Sequence, residues 1–188
     1  CEDAREPDGS LPAIYMAPDV RDGRWPTAFD WRDSGCVTVP KNQASCGSCW
    51  AHATCAAIES NMLINGGPEF DLSEQQLLDC NFQGVTCATG GIPTLAKGMT
   101  IAKSYGMVAE SCYPYTATAS TDCGQHDCPP VVIIEDYGWV GGWCSSSATE
   151  EELKEAVYTY GPVTVGMQVY GDWSSYTGGC YEHVTGSH

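Results

Sequence analysis

Twelve cysteines stand among 188 residues, and they run the length of the chain rather than gathering in one cluster of ligand pairs. That distribution predicts a fold stapled by disulfides rather than organised around a metal ion, and therefore an oxidising compartment. No metal and no cofactor is expected. The chain begins at Cys1 without a basic and apolar leader. No apolar run approaches the roughly 18 residues that span a bilayer. The expectation is a processed chain without a membrane span, secreted or held in a lysosomal or vacuolar lumen. With 43% hydrophobic and 17% charged residues it suits one compact unit or two small lobes. A formal net charge of −16 argues against nucleic acid as a partner, because displacing phosphate counterions needs a basic face.

Residues 1–24 carry Pro7, Gly9, Pro12, Pro18 and Gly23 without an apolar period, which reads as an extended arm or propeptide remnant. From Ser48 to Ile64 apolar residues recur at helical spacing and stop at Asn65-Gly66-Gly67-Pro68. Ser73-Glu74-Gln75-Gln76 has capping-box spacing and opens a short helix ending near Cys80, and Pro93 to Tyr105, closed by Gly106, suits a third. Residues 25–115 are therefore expected to form a mainly helical lobe that includes Cys49. Val131-Val132-Ile133-Ile134 and the alternating Val163 to Val169 read as strands. Between them Thr149-Glu150-Glu151-Glu152 caps a helix that ends at Gly161-Pro162. Residues 116–188 are thus expected to be β-rich, and the fold class to be α+β.

The chemistry concentrates in Gln43-Ala44-Ser45-Cys46-Gly47-Ser48-Cys49-Trp50-Ala51-His52. A thiol attacks a carbonyl as thiolate, and a free cysteine with a pKa near about 8.5 is mostly protonated at neutral pH. Cys49 falls in the first turn of the expected helix, where partial positive charge stabilises an anion. The attack creates an oxyanion, and a fixed donor to it contributes about 3 kcal/mol. Cys46-Gly47-Ser48-Cys49 is also a Cys-x-x-Cys, a spacing that by itself suits a dithiol redox centre or half of a zinc site. No second such pair and no thioredoxin-type βαβ pattern accompanies it.

The Cys-Gly-Ser-Cys-Trp run resembles the signature of papain and cathepsin cysteine peptidases. The segment Pro26-Thr27-Ala28-Phe29-Asp30-Trp31-Arg32 resembles the mature start of cathepsins. The resemblance implies a papain-like two-lobe fold, a helical left lobe and a β-barrel-like right lobe, with the right lobe incomplete in these residues. It makes Cys49 the nucleophile and Gln43 the side-chain oxyanion donor, and it pairs Cys46 with Cys87. Cys87-Ala88-Thr89-Gly90-Gly91 resembles the Cys-x-Gly-Gly segment that pairs with substrate backbone, with one extra residue before the glycines. Gly90, Gly91, Trp50, Ile92, Pro93 and Gly166 are the substrate-contact residues it implies, with Ile92, Pro93 and Gly166 lining an apolar pocket. Glu110-Ser111-Cys112-Tyr113-Pro114-Tyr115, with Cys123 and Cys128, is similar to cathepsin C and implies the pairs Cys80–Cys123 and Cys112–Cys128. His52 matches cathepsin X, whose propeptide cysteine bonds to the nucleophile, a part that Cys1 is placed to play here.

The general base is the open question. His188 lies within the family's window of about 130–150 residues after the nucleophile. It nevertheless follows Tyr176-Thr177-Gly178-Gly179-Cys180-Tyr181 sooner than the family's histidine does, which reads as a loop position. His183 reads as a loop residue, His126 as surface, and His52 as a hydrogen-bonded packing residue on the nucleophile's own helix. The family's Asn-Ser-Trp segment is not in these residues. The expected partners are thus a peptide or protein substrate and a C-terminal light chain carrying the catalytic His and Asn. Endopeptidase and dipeptidyl peptidase action both stay open. The alternative function is a non-catalytic papain-fold structural or binding module, which keeps the fold without needing a base.

Overall fold

The computed structural model describes residues 25–81, 84–90, 95–141 and 148–187. The arm at 1–24 with Cys1, the positions Gly91, Ile92 and Pro93, and His188 lie outside the described residues. Four α-helices form among the described residues: α1 (Cys49–Ile64), α2 (Glu74–Asp79), α3 (Leu95–Tyr105) and α4 (Glu150–Tyr160).

α1 is the axis of the helical part. Its alanines favour helix, and its buried residues Trp50, Ala51, Thr54, Cys55, Ile58 and Glu59 recur every four positions, so they share one face. Gly66, at φ 73°, ends it in the left-handed region, and Gly67 N–H closes on the Met62 carbonyl. α2 and α3 pack on the buried face. The approach of α3 is close: a Cβ on Gly98 would lie 2.3 Å from Thr54 Oγ1, so only glycine fits there. Trp50, Ala51, Cys55 and Ile58 of α1 join Leu72, Leu77, Ile101, Ala102 and Met107 in one core.

Ser73 caps α2 by accepting from Gln76 N–H. The Gln76 amide donates to Gly106 O and accepts from Val108 N–H, so this side chain welds α2 to the end of α3. α4 opens with a complete capping box between Thr149 and Glu152. The segment entering from residue 25 straps onto α4: Trp31 Nε1 donates to Val157 O, and Phe29 packs on the Tyr158 ring. Asn61 of α1 reaches the Tyr160 carbonyl and ties the two helices together.

The two expected strands do not form as strands. Among the described residues the β structure consists of the isolated bridges Leu72–Ala109 and Met107–Val132. Val131 to Ile134 contributes one bridge, and Val163 to Val169 runs without a ladder, leaving Val165, Met167 and Val169 exposed. Alternation decides which side chains share a face, but a strand also needs a neighbour for its N–H and C=O groups, and the described residues supply none to this segment. Among the described residues the α+β expectation is met by helices with little strand.

Lys41 holds the entry to the helical part. Its ammonium touches Glu59 Oε1 at 2.9 Å, Glu74 Oε1 at 2.9 Å, Asp71 Oδ1 at 2.6 Å and the Leu72 carbonyl at 3.0 Å. Glu59, 1% exposed, also accepts from Thr38 Oγ1 and Leu72 N–H. Burial works against the Lys41 charge, but bonds to Asp71, Glu74 and Glu59 outweigh it and hold its pKa above the usual lysine range. Removing one partner of a buried pair strands the others without compensation. Lys41→Met is therefore expected to lower stability by about 3–5 kcal/mol, read as the shift in a urea unfolding midpoint.

Candidate active site

The Cys46–Gly47–Ser48 turn is fixed by contacts with the 87–90 loop. Cys46 is bonded to Cys87, with Cα atoms 4.2 Å apart. Gly47 N–H donates to Cys87 O at 2.8 Å, and a Cβ on Gly47 would stand 2.8 Å from Gly90 Cα. Backbone lies on backbone there, which explains the glycine between the two cysteines. Ser48 N–H returns to the Cys46 carbonyl, and the chain enters α1 at Cys49.

Cys49 is the first residue of α1, exposed and with an unpaired thiol. The first N–H groups of a helix lack intrahelical acceptors and carry partial positive charge, so the sulfur stands where an anion is favoured. Gln43 Nε2 donates to Cys46 O at 2.7 Å. An amide nitrogen has two hydrogens, so that bond anchors the side chain and leaves a second donor. Cys46 is spent on Cys87, which removes the Cys46–Cys49 dithiol that a redox centre needs.

Three of the other expected substrate-contact positions can be placed. Gly90 adjoins Gly47 and has φ 58°, while Gly166 is exposed with open space where a Cβ would be. Trp50 is a core side chain at 1% exposure with its indole N–H unpartnered, and it anchors α1. Cys80–Cys123 and Cys112–Cys128 close as two further disulfides and hold residues 110–128 against α2. There Tyr113 Oη donates to Asp79 Oδ2, and burial together with that bond pushes its pKa up to about 12. Burial likewise drives the Cys55 thiol well up, which keeps it protonated and inert.

The two histidines with described side chains each bond through Nδ1. His52 Nδ1 lies 3.0 Å from Ser48 O, and because a carbonyl only accepts, that nitrogen carries the hydrogen. Its ring stands edge-on to Tyr115. His183 Nδ1 faces both Asp172 oxygens at 3.1 Å, and its ring stacks on Tyr170. Asp172 also accepts from Tyr181 Oη and from the Val184 and Thr185 amides, which hold its carboxyl well below the usual range. No hydrogen bond joins either ring to Cys49 among the described residues.

Residues 25–188 match the profile of papain family cysteine proteases. The chain belongs to that family. It is 36% identical over 166 residues to a cathepsin L-like proteinase of Phaedon cochleariae, covering 87% of this chain and 48% of that protein. It is 35% identical over 166 residues to pro-cathepsin H of Bos taurus, covering 87% and 47%. The chain thus spans about half the length of the curated relatives it matches. Among solved structures it superposes on bromelain of Ananas comosus in complex with the E64 inhibitor, with TM-score 0.53, 38% identity and coverage of 59% and 50%. Digestive procathepsin L 3 of Tenebrio molitor gives TM-score 0.56 at 30% identity, covering 77% of this chain and 45% of that one.

Glu110 adds a pH-dependent support. Its Oε1 accepts Tyr115 N–H at 2.6 Å, while Oε2 is buried without a partner. Burial raises its pKa, so the folded protein binds this proton more tightly than the unfolded chain. The resulting stability is present at acid pH and is lost as pH rises through the raised folded value. Glu110→Gln keeps the acceptor for Tyr115 and removes the titration. Its melting temperature is expected to fall less than wild type's between mildly acidic and neutral pH, as differential scanning calorimetry would show.

Proposed function

We propose that these residues form the nucleophile-bearing part of a papain-type cysteine peptidase. The observation that carries this reading is an exposed, unpaired thiol at the first residue of α1, preceded by a loop whose Gln43 amide is anchored on Cys46 O through one of its two hydrogens. The Cys49 thiolate attacks the carbonyl carbon of a peptide bond, and the resulting oxyanion accepts from Cys49 N–H and from the second Gln43 N–H. Collapse expels the amine, which takes a proton from an imidazolium, and leaves a thioester on Cys49. Water activated by the same imidazole then releases the acid.

Neither His52 nor His183 is hydrogen-bonded to Cys49 among the described residues, and on this reading the base and its asparagine come from polypeptide outside them, beyond residue 188 or on a light chain as in cathepsin C. Residues 25–115 serve as the lobe carrying the nucleophile and 116–188 as part of the facing lobe. Gly90 and Gly91 present backbone to the substrate, and Ile92, Pro93 and Gly166 line an apolar pocket for one side chain. The packing of Gly47 on Gly90 supports this, because it sets that backbone beside the Cys49 turn. Endopeptidase and dipeptidyl peptidase action share this chemistry at Cys49. The Glu110 to Tyr115 segment and its disulfides favour a kinship with cathepsin C, and His52 favours one with cathepsin X. The three disulfides among the described residues suit a secreted or lysosomal protein, and no described helix is long and apolar enough to cross a membrane.

The epoxide E-64 is expected to add covalently to Cys49, located by peptide mass spectrometry of the complete protein, and Cys49→Ala to abolish both labelling and peptide hydrolysis. Gln43→Ala should lower kcat by roughly 10²–10³. Failure of E-64 to label Cys49 would overturn the assignment.

A further inference from the structure

We infer that Tyr115 is the positioning residue that locks the oxyanion donor loop to the helix bearing Cys49, an inference that rests on the peptidase reading for its kinetic consequence. The Tyr115 hydroxyl lies 2.8 Å from the Gln43 carbonyl and 2.5 Å from Ser48 Oγ. A carbonyl can only accept, so the single tyrosine hydrogen goes to Gln43 O, and Ser48 must donate its own hydrogen to Tyr115 Oη. One phenol thereby bridges the residue that supplies the side-chain donor and the residue that immediately precedes the nucleophile.

Three features make that bridge matter. Ser48 stands at the N-cap of α1 yet its side chain makes no capping bond, so its buried hydroxyl serves Tyr115 instead. The peptide between Gln43 and Ala44 is followed by a left-handed, non-glycine backbone, with Ala44 at φ 52°. A β-carbon is strained in that region, and such a conformation persists only where surrounding contacts hold it. The Tyr115 bond to Gln43 O and the Asn42 Oδ1 bond from Ala44 N–H are those contacts. His52 closes the arrangement from the other side, with its ring edge-on to Tyr115 at 4.9 Å and Nδ1 bonded to Ser48 O.

Tyr115 is itself held from behind. Glu110 accepts its backbone N–H, and the buried Gln75 of α2 accepts Thr116 N–H and donates to Thr118 O. The phenol therefore transmits the rigidity of α2 to the loop carrying Gln43. An oxyanion donor acts by being fixed before charge develops, so freeing this loop lowers kcat more than it raises KM.

Tyr115→Phe in the complete protein removes one oxygen and keeps the ring against His52. Amide exchange by mass spectrometry over residues 43–52 is expected to accelerate about tenfold, with α4 and residues 124–128 unchanged. On a peptide substrate kcat should fall about tenfold while KM stays within about twofold. Ser48→Ala should reproduce the exchange change. In a Gln43→Ala background Tyr115→Phe should add little further loss, since the donor it positions is gone. Unchanged exchange over 43–52, acceleration spread evenly through the fold, or an undiminished kcat loss in the Gln43→Ala background would each overturn the inference. A wild-type protein that hydrolyses no peptide would sink the peptidase reading alone, and exchange over 43–52 would still decide whether Tyr115 holds the loop.

Discussion

Lys41 brings an ammonium into contact with three carboxylates and a carbonyl, and two of those carboxylates belong to buried glutamates on α1 and α2. Neither glutamate is tolerable in the interior without the ammonium, and the ammonium is fixed by the need to satisfy both. The chain at residues 38–41 is therefore pinned to α1 two residues before Gln43. Everything downstream inherits that registration: the Gln43–Ser48 loop starts from a fixed point, is clamped by the Cys46–Cys87 bond, and delivers Cys49 at the helix N-terminus.

The site is thus built from strong local ties of different kinds. A disulfide and a backbone contact between Gly47 and Gly90 hold the floor of the turn. A hydrogen bond to Cys46 O orients the Gln43 amide, and the Tyr115 hydroxyl joins that loop to Ser48. The Ser48 hydroxyl would be a buried liability without Tyr115, so at that tie satisfying the interior and preorganising the site are the same act. The exposed segment from Val165 to Val169 shows the opposite condition, with apolar side chains in alternation and no ladder to stabilise them.

Much of the helical part was legible in the residues. The end of α1 at Asn65-Gly66, the Ser73 and Thr149 caps and the stop at Gly161 all depend on backbone conformations that particular residue types favour locally. The strands were not legible in the same way, because Val163 to Val169 has the period of a strand but pairing is a property of two segments. The burial of Trp50 was not legible for a similar reason: its place in the motif speaks of the site, while its 1% exposure follows from how α2 and α3 close over α1. Tyr115 carried no signal of its role beyond its place in the segment following Cys112, since its partners Gln43 and Ser48 lie far from it in the chain.

The order of residues by itself determined the position of Cys49 at a helix start, the glutamine that precedes it and the helix caps, because these depend on spacing within a single segment. Only the tertiary structure decided what holds them: that Cys46 closes on Cys87, that Lys41 binds three carboxylates, that His52 is committed to Ser48, and that one phenol bridges Gln43 to Ser48. Such contacts join residues distant in sequence, and their partners are selected by burial and by the requirement that each buried donor and acceptor be satisfied, conditions that exist only once the chain has folded.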